Sequence, residues 1–137
     1  NREAFRRAVR SVLLWAGLVA GLNVVIYWIA GTAIIALMTN IPEVRAAAAV
    51  YLPWVILMPA VSVWAYTYDG IYLGAMRADV MLVAMLVAFA VYMSALFLLL
   101  PVLDNHGLWL ALTAFLSLRG IMLIVFYPRL RRAITLE

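Results

Sequence analysis

The chain has 137 residues, of which 69% are hydrophobic and 12% are charged, and its mean hydropathy is +1.11. Soluble domains carry about 25% charged residues, and a chain of this size folded in water could not bury so much apolar surface. The absence of cysteine excludes disulfides and cysteine-ligated metal sites, and a single histidine excludes a histidine-rich metal site. These features predict an integral membrane protein.

Long apolar segments alternate with short polar turns along the whole chain. About 20 apolar residues cross a bilayer, and four segments reach that length: residues 11–39, 46–76, 80–103 and 108–127. The turns between them are short, so consecutive helices are expected to run antiparallel. The predicted fold is all-α, a polytopic membrane protein of four antiparallel transmembrane helices forming a single unit over residues 1–137.

Prolines mark three further features of these helices. Pro42 is placed to open the second helix, since proline is favoured at the first helical position. Pro53 and Pro59 interrupt the second span and predict a bend there. Pro128 directly follows the fourth span, whose helix is expected over residues 108–127.

The net charge of +4 comes from ten arginines with no lysine, and nearly all of them flank the apolar segments. Eight arginines fall on the side that carries both termini, whereas Arg45 is alone on the other side. Positive charge collects on the cytoplasmic side of membrane proteins. The pattern therefore predicts a multi-pass protein of the cell (inner or plasma) membrane with both termini in the cytoplasm, and it argues against a nucleic-acid partner.

Two charged residues, Asp69 and Arg119, lie inside the predicted spans. A charge at the centre of a bilayer costs roughly 2.5–3.5 kcal/mol on insertion scales, so such residues are functional candidates by default. At about 1.5 Å per residue, Asp69 lies ~12 Å from Arg77 and Arg119 ~15 Å from Arg129, measured from the same end of the helices. We expect the two to face each other as an ion pair or to share a polar pocket, and a purely structural ion pair remains the alternative.

The face of the second helix that carries Asp69 is unusually polar and aromatic. Pro59, Ser62 and Tyr66 recur with Asp69 at spacings of three or four residues and so share one helix face. Together with Trp64, they are candidates to line a cavity for a flat organic cation, because aromatic rings attract cations. Hydrogen bonding between helices by Ser62 and Tyr66 is the alternative.

Nothing in the sequence predicts an enzyme. It contains no nucleophile–base set, no metal-ligand spacing and no glycine-rich phosphate loop, so no catalytic residue, bound metal or cofactor is expected.

Two strings of the sequence resemble one transporter family. Residues 51–77, YLPWVILMPAVSVWAYTYDGIYLGAMR, are similar to the tenth helix of the multidrug and toxic compound extrusion (MATE) family, in its DinF-like branch. Residues 105–120, NHGLWLALTAFLSLRG, are similar to the twelfth helix of that family and include Arg119. Met76 departs from the more usual threonine. The resemblance makes the chain helices nine to twelve of a twelve-helix protein.

The resemblance implies part of a cation-coupled antiporter that exports organic cations in exchange for protons or sodium. In some branches the acid of the tenth helix contributes to a cation site, and that role carries over to Asp69. The resemblance also implies that the first lobe and helices seven and eight are missing partners, so the fragment is expected to be inactive alone. Two alternatives stay open: a self-contained four-helix multidrug exporter working as a dimer, and a membrane anchor or assembly subunit without transport activity.

Overall fold

The computed structural model describes residues 2–134, and residues 1 and 135–137 lie outside the described part. It consists of four long helices in chain order: α1 (Arg2–Met38), α2 (Pro42–Gly74), α3 (Ala78–Leu103) and α4 (Asn105–Ala133). Each helix is long and apolar enough to cross a membrane. The prediction of an all-α protein with four transmembrane helices is confirmed.

α1 begins at Arg2 rather than near residue 11, where the apolar span starts. The reason is tertiary packing. Val9 is buried, and Phe5 packs against the same hydrophobic cluster. The basic stretch is therefore the first two turns of a helix that packs on α2 and shares a hydrophobic cluster with α4.

α4 continues through Pro128 to Ala133, so the prediction that the helix ends before this proline is wrong. Proline removes one backbone hydrogen bond and strains the preceding turn. Beyond it, Leu130 is buried in the core cluster and Ile134 packs against that cluster. This burial holds the last turns in helical conformation.

α2 also differs from its predicted bounds, since it starts at Pro42 and ends at Gly74. Pro42 occupies the start of the helix as predicted, and α2 continues as one α-helix through Pro53 and Pro59. Its C-terminal turn closes at Met76, whose φ of 56° reverses the chain ahead of α3. The predicted bend of α2 remains a prediction.

α3 and α4 are separated by Asp104 alone, which has a φ of 51° and a ψ of −131°. The reversal is tight enough to bring the two backbones into contact. A Cβ atom on Gly107 would lie 2.5 Å from the backbone oxygen of Leu99. Only glycine fits this position, because real Cβ atoms do not approach backbone atoms so closely.

The helices pack as neighbours in the order α1, α2, α4, α3. The main hydrophobic cluster lies at the end that carries both termini and is formed by Val9, Tyr68, Ile71, Tyr72, Ala84, Leu123 and Leu130. α2 and α4 therefore form the centre of the unit, and the two charged residues of the spans lie on these two helices.

Candidate functional site

The centre of the unit holds an ion pair between Asp69 on α2 and Arg119 on α4. An Nη atom of Arg119 lies 2.5 Å from an Oδ atom of Asp69, and each side chain is only 14% exposed. The structure thus brings together the two residues that counting from Arg77 and Arg129 placed at the same depth in the membrane. Within residues 2–134 this is the only ion pair that is largely withdrawn from the surface.

A close crossing of the two helices explains this geometry. A Cβ atom on Gly120 would lie 3.3 Å from the backbone nitrogen of Ala65, which is itself fully buried. Small residues at a crossing let membrane helices approach until their backbones touch. Asp69 is one turn beyond Ala65, and Arg119 directly precedes Gly120, so their side chains meet beside the crossing.

The pair is not fully satisfied by its own partners. Asp69 Oδ1 and Arg119 Nε are both buried, and neither has a hydrogen-bond partner among the described residues. A buried polar atom without a partner is expensive, and a charged one more so. The carboxylate therefore has an unused acceptor oxygen beside a single guanidinium.

Two tyrosines of α2, which sequence reasoning missed, anchor the site on its termini side. The Tyr72 hydroxyl donates a 2.8 Å hydrogen bond to the backbone oxygen of Leu123, and Tyr72 is fully buried. The ring of Tyr68 packs edge-on against Tyr127 with centroids 5.9 Å apart. Both contacts tie α2 to α4 within one turn of Asp69. Tyr68 follows Ala65 by three residues and Tyr72 follows Tyr68 by four, a helical spacing that signals this buried face.

The other candidates on α2 do not gather around the ion pair. Pro59 and Ser62 are half-buried, and Tyr66 is 61% exposed. None of these three lines either of the two cavities that Trp64 contacts, or a third cavity beside Arg77. They remain predictions for a cavity that includes surfaces beyond residues 2–134.

Trp64 lies on a different face of α2, toward α1. Its ring edge is 3.6 Å from the position that a Cβ atom on Gly17 would take. It contributes to two cavities, one of about 590 Å³ near the termini and one of about 250 Å³ between α2 and α4. Trp64 is thus the aromatic candidate that lines these two open cavities.

A second polar contact, also unforeseen from sequence, lies at the opposite end of the unit. The Trp54 indole N–H donates a 3.0 Å hydrogen bond to Nδ1 of His106, and the Tyr51 ring lies 5.0 Å from the imidazole. His106 is therefore a packing partner of α2 and not simply a solvated turn residue. No cluster of three or more side chains suited to hold a metal ion occurs within residues 2–134.

Comparison with known proteins adds a family signal to this geometry. A family model described as MatE matches residues 1–98. The chain is also 45% identical over 127 residues, or 93% of its length, to the DNA damage-inducible protein F of Escherichia coli (strain K12). It spans about a quarter, 27%, of the length of that relative. No solved structure matches the chain.

Proposed function

Because this chain belongs to the MatE family, we propose that it forms part of a membrane antiporter that exports organic cations in exchange for protons or sodium ions. The observation that carries the proposal is the largely buried Asp69–Arg119 pair, in which one buried carboxylate oxygen has no partner among the described residues. An ionisable group retained inside an apolar helix is expensive, and such groups mark ion and substrate pathways.

In the proposed mechanism, Asp69 is the group that takes up the coupling cation. When the carboxylate is ionised, it is held by Arg119 and helps to hold α2 against α4. When a proton or sodium ion binds the carboxylate, its attraction for the guanidinium weakens, and the α2–α4 contact loses part of its electrostatic support. The bound cation would therefore bias the equilibrium between two arrangements of the helices, as coupling requires.

The tight crossing at Gly120 and the tyrosine contacts around it support a switch with discrete states. Packed interfaces of this kind shift between arrangements instead of deforming continuously. Tyr72 keeps its hydrogen bond to the α4 backbone in the described arrangement, so it would act as the positioning residue for Asp69.

The proposed partners are the remaining parts of the same transporter, since the chain spans 27% of the matched relative. These are a first lobe and helices seven and eight, together with the lipid bilayer and an organic cation substrate. The arginine distribution supports an orientation with both termini in the cytoplasm and the protein in the cell (inner) membrane.

The test uses the full-length protein that contains this chain, reconstituted in liposomes. Efflux of a fluorescent organic cation is driven by an imposed proton or sodium gradient. We expect Asp69→Asn to reduce gradient-driven efflux to the level of empty liposomes, because the amide cannot take up the coupling cation. Asp104→Asn is the matched control, since Asp104 is exposed in the turn between α3 and α4. Equal rates for wild type and Asp69→Asn would overturn the proposal.

A separate assay addresses residues 1–137 alone. We expect no gradient-driven efflux, since the cavity for the substrate would need surfaces that these residues do not supply. Efflux by the isolated chain that disappears in Asp69→Asn would favour a self-contained exporter instead.

A further inference from the structure

A second polar feature lies away from the ion pair, where the first turns of α1 approach the last turns of α4. A cavity of about 590 Å³ opens there, and its walls carry the arginines Arg6, Arg7, Arg10 and Arg131. We call it the arginine cavity. The proposed transport mechanism makes no use of it.

The cavity is strongly cationic. Three of its arginines come from α1, and Glu3 is the one acidic residue in its lining. Glu3 contacts Arg7 at 3.5 Å, in a pair whose side chains are about four-fifths exposed. Such a pair is weak in water. Because the lining has four arginines and one glutamate, its net charge is positive and would repel an organic cation.

The helical repeat accounts for the grouping on α1. Arg6, Arg7 and Arg10 recur at the spacing of one helix face, and Leu13 and Leu14 continue that face toward the membrane centre. Topology alone requires arginines on one side of the membrane. It does not require that those of α1 and α4, more than a hundred residues apart in sequence, open into the same cavity.

The lining changes from polar to apolar along the helix axis. Beyond the arginines, the walls are formed by Leu13, Leu14, Trp64 and Tyr127. Tyr127 lies close to Arg129, at the level where aromatic residues are enriched between headgroups and hydrocarbon, and Trp64 lies deeper. A ligand that matches the whole cavity therefore combines an anionic head with an apolar tail.

We propose that the arginine cavity binds an anionic phospholipid of the leaflet on the side of the termini. Guanidinium groups suit phosphate because they can donate two parallel hydrogen bonds to it. Clusters of basic residues next to a membrane helix bind anionic lipids through the same attraction. The acyl chain lies along the leucines and Trp64, and a bound lipid bridges α1 and α4.

The experiment measures lipid binding to the full-length protein in detergent by native mass spectrometry, with phosphatidylglycerol and phosphatidylcholine as probes. Wild type is expected to prefer phosphatidylglycerol. The double variant Arg7→Gln/Arg10→Gln is expected to bind it about thirtyfold more weakly, from the attraction of two cationic side chains near an anionic surface.

The matched control is Arg2→Gln/Arg132→Gln, which removes the same amount of charge from the end with the termini, at residues outside the lining. It should keep the affinity of wild type within about threefold. Arg7→Lys/Arg10→Lys preserves the charge and should recover most of the binding, which separates lost binding from lost folding.

Four results would overturn the proposal. The first is equal binding of the two lipids by wild type. The second is an equal loss in the two glutamine variants, since binding would then follow net charge alone. The third is displacement of the lipid by millimolar inorganic phosphate, which would assign the site to free phosphate. The fourth is no lipid binding at all, as expected if another part of the full-length protein fills the cavity.

Discussion

The two ends of the four-helix unit are packed in different ways. The end with the termini is built around large side chains, among them Tyr68, Tyr72 and Leu123. At the opposite end, the buried positions are small ones, namely Gly31, Gly107 and Ala111. Substitutions that shorten a buried side chain should therefore destabilise the protein most at the first end, and substitutions that enlarge one should do so at the second.

The Asp69–Arg119 pair lies between these two ends, and it is held together by the attraction of opposite charges. We expect Arg119→Leu to lower the free energy of unfolding by about 3–5 kcal/mol, because it leaves a buried carboxylate without a partner. Thermal unfolding of the full-length protein in detergent measures the effect.

The double variant Asp69→Asn/Arg119→Leu should recover most of that loss, since no unpaired charge remains. If the double variant is as unstable as Arg119→Leu alone, the loss reflects packing of the arginine stem and the ion-pair explanation fails.

At the end with small residues, Gly107→Ala should lower the free energy of unfolding by about 3 kcal/mol. The added Cβ would meet the backbone oxygen of Leu99 at 2.5 Å, and a backbone atom cannot rotate away. Gly21→Ala is the control, since its Cβ would meet nothing within 4 Å among the described residues. A neutral Gly107→Ala would show that α3 and α4 are not in backbone contact.

At the end with large residues, Leu123→Ala should lower the free energy of unfolding by about 2 kcal/mol. This value is at the low end of the range for a buried leucine in a soluble protein. The reason is that lipid solvates apolar groups, so the loss comes mainly from the cavity left behind. Leu98→Ala, on an exposed face of α3, should change stability by less than about 0.5 kcal/mol. Similar effects of the two substitutions would remove the distinction between the two ends.

The smallest expected effect concerns the hydrogen bond from Tyr72 to the α4 backbone. Tyr72→Phe should lower the free energy of unfolding by about 0.6 kcal/mol, the typical value for a hydrogen bond between membrane helices. Tyr66→Phe, at an exposed position of α2, should have no measurable effect. A full loss of transport in Tyr72→Phe with unchanged stability would instead assign the hydroxyl a direct role.

The sequence predicted the features that follow from composition and helical spacing. Long apolar segments predict the four helices, and counting residues from the flanking arginines predicts that Asp69 and Arg119 lie at one level. The family resemblance carried by residues 51–77 and 105–120 is confirmed by the family match and by the 45% identity.

The remaining features depend on contacts between residues far apart in the chain. α1 begins early because Val9 is buried in a cluster with side chains of α2 and α4, and α4 passes Pro128 because Leu130 is buried there too. The Trp54–His106 hydrogen bond joins residues 52 positions apart. The arginine cavity likewise requires the ends of α1 and α4 to open into one space, and hydropathy does not encode how the helices are arranged.

The central claim is that Asp69 takes up the coupling cation. Its most direct test is equilibrium binding of a labelled organic cation to the purified full-length protein, in competition with protons and with sodium. The account predicts that at least one of these ions displaces the ligand from wild type, and that the competition disappears in Asp69→Asn. Unchanged competition in Asp69→Asn, with the ligand still bound, would contradict the claim and place the coupling group elsewhere.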